Sequence, residues 1–259
     1  MKFAIPPLLF AFLMFLGMVL FLELGRQVGL RRRPGETEGE RGSFGIVEGA
    51  LFALFGLLMA FTFSGAATRF AEKRMLIAEE VNTIGTAYLR VHLLPQEAQG
   101  PVKELFRKYV DSRLETYRKL PDMQAAEAIM AQSKKLQQEI WNQAVVATRL
   151  PNSHPNAGFL LLPALNNMFD MATTRTMALQ NHPPGVIYVL LFILGLICSA
   201  LAGYRMALSQ HRSWLHVLGF TLMTVTIVYV VLDIEYPRAG LIRLADSERM
   251  MIDVRREMD

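Results

Sequence analysis

The sequence predicts an all-α integral membrane protein, with four transmembrane helices and a helical region inserted between the second and third. Three observations predict it. Four stretches, Phe3–Leu22, Gly49–Thr68, Thr176–Tyr204 and Ser213–Leu232, contain no Asp, Glu, Lys or Arg. Each holds the ~20 apolar residues needed to cross ~30 Å of hydrocarbon. The polar region between the second and third keeps a helical apolar period and shows no strand signal. Finally, 52% of the 259 residues are hydrophobic, more than a soluble domain of this length carries. Four buried core helices are the soluble alternative, and the length of the charge-free runs argues against them.

The first span is expected at about 3–22. Only Lys2 precedes it, and no small-x-small cleavage site follows in LELGRQVGLRRR, so a retained anchor is expected. A loop is expected over 23–43. The second span, about 45–68, opens a stretch from Phe44 to Leu94 without proline. As one helix rising ~1.5 Å per residue this would reach roughly 75 Å, well beyond the bilayer. Ser64-Gly65 is where it could kink. Phe70, Ile77, Ile84 and Val91 recur every seven residues with Val81 and Tyr88 between them, which makes one apolar stripe.

In PVKELFRKYVDSRLETYRKL, Pro101 suits a first helical turn. Its buried face comprises Val102, Leu105, Phe106, Tyr109, Val110, Leu114 and Tyr117. Pro121 breaks that helix and Asp122 can cap the next, which runs to Pro151. PNSHPN is a loop. An amphipathic stretch carrying Leu165, Met168, Phe169 and Ala172 then runs towards Asn181. HPPG turns the chain into the third span, about 184–204, and the fourth follows at about 213–232. Residues 1–259 are read as a single membrane domain with an extramembrane region at 69–182 and a tail at 233–259.

Four spans put the N-terminus, the long region and the tail on one side. Basic residues near the span ends nearly balance, eight on that side against seven on the other, so the positive-inside rule decides little. The bulk of the long region favours the cytosol.

On a helical wheel of the second span, Gly49, Ala53, Gly56, Ala60, Ser64 and Ala67 share a narrow face, a packing seam for another helix. Phe52, Phe55, Met59 and Phe63 lie beside it. Repeated around a ring of subunits, such side chains form a hydrophobic constriction that gates by dewetting. Pattern alone favours contact with lipid or another span. No carboxylate or lysine sits in mid-span, which counts against a proton-coupled transporter and not against a passive pore.

Catalytic chemistry is absent from the pattern. His211 and His216 are five apart, not the i,i+4 of a helical metal pair, and His154 and His182 adjoin prolines. Cys198 is the single cysteine, so no disulfide or cysteine metal site forms within the chain. The net charge of +4 is spread out, without a nucleic-acid footprint. No enzyme, cofactor, metal centre or nucleic-acid partner is therefore expected. Glu79 and Glu80 could line a polar vestibule, although pairing with Lys or Arg of neighbouring helices is the simpler reading. Asp233 and Glu235 could hold a hard cation at the mouth of the fourth span; the simpler reading is a helix ending before Pro237.

Four words in order, FSGAATRFAEKRMLIAEEVNTIGTAYLR, LPALNNMFDMATTR, HPPGVIYVLL and VVLDIEYPRAGLIRL, resemble the bestrophin-like domain family of bacterial membrane proteins across essentially the whole chain. That family is distantly similar to the bestrophins, pentameric ion channels with four spans per subunit, a helical cytosolic region and a pore lined by the second span. The resemblance implies a bestrophin-like fold and a multi-pass protein of the bacterial cytoplasmic (inner) membrane. It also implies self-association into a ring, pentameric by analogy, that passes small inorganic ions. Phe55, Met59 and Phe63 have the one-turn spacing of the bestrophin neck, with Arg69 and Glu79 at the pore mouth or vestibule. DIEYP matches the acidic segment that follows the fourth bestrophin span. The tryptophan pair that often follows the bestrophin pore helix is replaced by RFAEKRM. The alternative function is a non-conducting membrane scaffold or sensor that binds a cytosolic partner.

Overall fold

The computed structural model describes residues 6–32, 37–119, 123–207, 214–236, 241–242 and 245–259. Its helices are α1 (Pro7–Arg32), α2 (Glu38–Arg90), α3 (Gln96–Lys119), α4 (Met123–Ala147), α5 (Ala157–Gln180), α6 (Val186–Met206), α7 (Trp214–Glu235) and α8 (Ala245–Arg256), with a 3-10 turn at Val91–Leu93. No strand occurs among the described residues. Lys2, Pro121, Asp122, His211 and Pro237 lie outside them, as does the side chain of His216. By length and composition α1, α2, α6 and α7 can each cross a membrane.

Most of the expected loop over 23–43 is helix instead, since α1 continues to Arg32 and α2 begins at Glu38. Loss of apolarity ends a membrane segment, but it does not end a helix. The residues after Leu22 include good helix formers, Glu23 pairs with Arg26 at 3.7 Å, and Arg31 and Arg32 suit the negative end of the helix dipole. Helix α5 also starts earlier than its apolar stripe, at Ala157, with Pro163 in its second turn.

The chain divides into two compact units, Met1–Phe70 with His182–Ile242, and Ala71–Asn181 with Arg243–Asp259. In the first, Phe10, Met14 and Met18 of α1 pack with Phe55 and Met59 of α2, Leu191 and Cys198 of α6, and Val228 and Leu232 of α7. Contacting residues of α1 and α6 increase in number together, so these helices run the same way. Their backbones touch: a Cβ on Gly25 would stand 1.9 Å from the Ala200 carbonyl oxygen, and one on Gly203 would stand 1.9 Å from that of Leu22. Glycine is required at both positions, and close packing of this kind is what binds helices where lipid offers no hydrophobic drive.

In the second unit, Ile84, Ala87 and Val91 meet Val102, Phe106 and Tyr109 of α3, Ile140 and Ala144 of α4, and Leu161, Leu165 and Met168 of α5. Of the stripe read from the sequence, Val81, Ile84, Tyr88 and Val91 belong to this core, and of the α3 face Val102, Leu105, Phe106, Tyr109, Val110 and Leu114 do; Phe70 belongs to the first unit, and Ile77 and Tyr117 are buried outside the cluster. Met251 of α8 and Met258 just after it close the core. The Met258 carbonyl accepts from Tyr88 Oη (3.1 Å) and Arg107 Nε (2.8 Å), and Arg255 Nε donates to Asp111 (2.8 Å). His154 serves its loop, accepting the Asn156 N–H at Nδ1 (3.2 Å).

Candidate functional site

Two belts of paired charge bracket the apolar part of the first unit. At one end Arg205 Nη1 lies 3.0 Å from Glu48 Oε2, and Phe44 packs on Tyr204. At the other, Arg69 holds Glu235 through Nε and Nη2, both at 2.9 Å. From Glu48 to Arg69 the chain rises about 31 Å along α2, which matches the hydrocarbon thickness. Arg69 of α2 and the C-terminal end of α7 therefore share one level.

Glu235 is buried at that level, and its second oxygen faces His182 Nδ1 at 3.1 Å. The His182 ring stacks on Tyr236 at 4.6 Å. Asp233 is also buried; its carboxylate accepts the backbone N–H groups of Leu241 (2.9 and 3.1 Å) and Ile242 (2.9 Å), tying the chain back onto the helix end. The two carboxylates expected at a cation site thus have protein donors as partners. A cation on Glu235 would have to displace Arg69 and His182.

Between the belts, α2 is the barest span. Six per cent of its most apolar window is buried within the chain, against 28%, 33% and 44% for α1, α6 and α7. Of the three residues expected at a neck, Phe55 and Met59 point into the subunit's own core, Phe55 against Gly195 of α6, and Phe63 is 42% exposed. Phe52 packs edge-on against Phe220 of α7. The small-residue face is open: a Cβ on Gly49 or Gly56 would meet nothing within 4 Å. Directly opposite Phe55 and Met59, Ala53, Leu57 and Phe61 form one ridge at i, i+4, i+8, and Ser64 and Thr68 continue it. All five are exposed, Phe61 at 67%.

The second unit holds a buried ionic cluster around Glu80. Arg113 Nε donates to Glu80 Oε1 at 2.6 Å, Arg175 Nη1 donates to Oε2, and Tyr117 Oη donates to Oε2 at 3.2 Å. The Arg175 guanidinium lies 3.5 Å over the Tyr117 ring. Burial alone would raise the Glu80 carboxyl, but the charges and hydrogen bonds of Arg113 and Arg175 outweigh it and hold its pKa below the ordinary value. Burial and the Glu80 charge push the Tyr117 phenol far up, so it stays a donor. Glu79, expected with Arg69 at a mouth or vestibule, is half-buried beside this cluster in sequence. The sequence pattern predicts basic partners for this acidic pair without identifying them. Arg113 and Arg175 each interrupt an otherwise apolar ridge of α3 and α5, and that interruption is the signal that could have found them.

Comparison with known proteins supplies the wider frame. A family model described as the Bestrophin-like domain matches residues 16–248. A crystal structure of a membrane protein superposes with a TM-score of 0.59 over 92% of this chain and 97% of that one, at 14% identity, a likeness of fold. The comparison with curated proteins returns no match.

Proposed function

The chain belongs to the bestrophin-like domain family, and from that premise we propose that it forms a ring of subunits, pentameric by analogy, that conducts small inorganic ions passively through a pore lined by α2. The bareness of α2 carries this reading: a span that its own chain leaves uncovered, with small residues on one flank, is suited to line an axis between copies of itself. Gly49, Gly56 and Ala60 would meet the neighbouring subunit. The neck is proposed on the ridge opposite the subunit core, Ala53, Leu57 and Phe61, where bulky apolar side chains narrow the path and gate it by dewetting. Phe63 stands on the flank of that ridge, and Phe55 and Met59 support it from behind. Arg69, fixed by Glu235, sets a positive charge at the mouth, and Glu79 borders the vestibule beyond. The ring lies in the cytoplasmic membrane of a bacterium, with the helical region 69–182 in the cytosol.

Single-channel recording in planar bilayers tests the neck. Leu57→Ala and Phe61→Ala are expected to raise unitary conductance. Phe55→Ala is expected to leave conductance near wild type while lowering stability by about 3–5 kcal/mol, the cost of emptying a packed aromatic site. Unchanged conductance in both Leu57→Ala and Phe61→Ala removes that ridge from the pore.

A further inference from the structure

The outward face of α1 is apolar until the charged belt and then ends in arginine. Leu16, Leu20, Leu24 and Val28 follow one another at i, i+4 spacing, so they lie one above the next, each 45–57% exposed. The ridge they form rises about 18 Å, comparable to the ~15 Å hydrocarbon depth of one leaflet. Gln27, Arg31 and Arg32 are exposed where it ends. A Cβ on Gly29 would stand 2.7 Å from the Tyr204 carbonyl oxygen, so this end of α1 abuts the end of α6 at the level of the Arg205–Glu48 pair. Arg31 and Arg32 therefore reach just past the edge of the hydrocarbon. Their neighbours in that belt are engaged, Arg26 with Glu23 and Arg205 with Glu48. Arg31 and Arg32 carry no ion pair among the described residues.

We propose that this ridge and its two terminal arginines form a binding site for an anionic phospholipid. The phosphate sits on the guanidiniums of Arg31 and Arg32, whose planar donor forks match phosphate oxygens, and one acyl chain lies along Leu24, Leu20 and Leu16. A headgroup with net negative charge complements two unengaged positive charges; a zwitterionic one places its own cation among them. The site requires membrane insertion only and stands whether or not the ring conducts.

The test presents equimolar phosphatidylglycerol and phosphatidylcholine to the full-length protein in neutral detergent and quantifies co-purifying lipid by mass spectrometry. Wild type is expected to enrich phosphatidylglycerol. R31Q/R32Q is expected to lose that preference by about 25-fold, roughly five-fold per arginine. K134Q/K135Q, which removes two exposed charges from α4, is expected to retain it. Millimolar inorganic phosphate is expected not to displace the lipid, whereas high salt weakens its binding to wild type, an arm that serves if the double variant does not purify folded. Equal retention of both lipids by wild type overturns the proposal. So does a preference unchanged in R31Q/R32Q or at high salt. Displacement by inorganic phosphate assigns the site to the free anion, and a change in oligomer mass with unchanged lipid assigns the ridge to a second copy; either result also overturns it.

Discussion

Replacing Glu80 by glutamine removes the one carboxylate that faces two buried guanidiniums. The Arg113 and Arg175 side chains are 4% and 5% exposed, so neither can recover its charge solvation by turning to water. Breaking a buried ion pair costs about 3–5 kcal/mol, and leaving two cations together places this case at the upper end. For a chain of this size each kcal/mol moves the melting temperature by about 2–4 °C, so Glu80→Gln is expected to lower it by about 6–20 °C. Trp141 packs against the core of the second unit, and Trp214 is the other tryptophan. In a Trp214→Phe background, intrinsic fluorescence during heating therefore reports that unit. Arg175→Met is expected to cost less, because it leaves Glu80 and Arg113 matched one to one. A melting temperature for Glu80→Gln within about 1 °C of its parent refutes the reasoning, as does equal damage from Arg175→Met.

The same cluster fixes a pH dependence. The folded pKa of Glu80 lies below its ordinary 4.5, so its contribution is complete above about pH 4.5 and fades as pH falls through the lowered value. The second unit is expected to lose stability on acidification in that window, and Glu80→Gln to flatten the dependence, read by the same fluorescence melt at stepped pH. At the α1–α6 seam, Gly25→Ala and Gly203→Ala drive a Cβ into a backbone oxygen and are expected to abolish the monodisperse folded protein. Gly49→Ala and Gly56→Ala meet open space within the subunit and are expected to preserve its fold. Size-exclusion profiles and helical circular dichroism of the four variants separate the two groups.

The four spans were legible because a charge-free run of membrane length is rare in a chain that does not cross a bilayer. Much of the second unit's core was legible because its apolar period survives into the packed structure. Helix ends were less so: the charges at Glu23, Arg26, Arg31 and Arg32 end the charge-free run, and the chain nonetheless keeps the helical conformation to Arg32. The wheel of α2 identified its small and bulky residues correctly but could not say which face the rest of the chain would cover. Phe55 and Met59 have the spacing of a lining residue set and are core residues. The small-residue rule pointed to α2, while the closest backbone approaches are made by Gly25 of α1 and Gly203 of α6; Gly25 stands at a G-x-x-x-G spacing with Gly29, which also abuts α6. Asp233 and Glu235 left a cation site open as the less simple reading, because the Glu235 partners Arg69 and His182 come from segments distant in the chain and the pattern does not show the backbone at Leu241 returning onto Asp233.

Flux through proteoliposomes tests the central claim most directly. Purified protein reconstituted in vesicles, with insertion verified by protease protection, is expected to carry chloride, sodium or potassium faster than empty vesicles, at a rate that Phe61→Ala increases. Vesicles that contain inserted wild-type and Phe61→Ala protein, yet pass none of the three ions above the empty control, contradict conduction and leave the scaffold reading in its place.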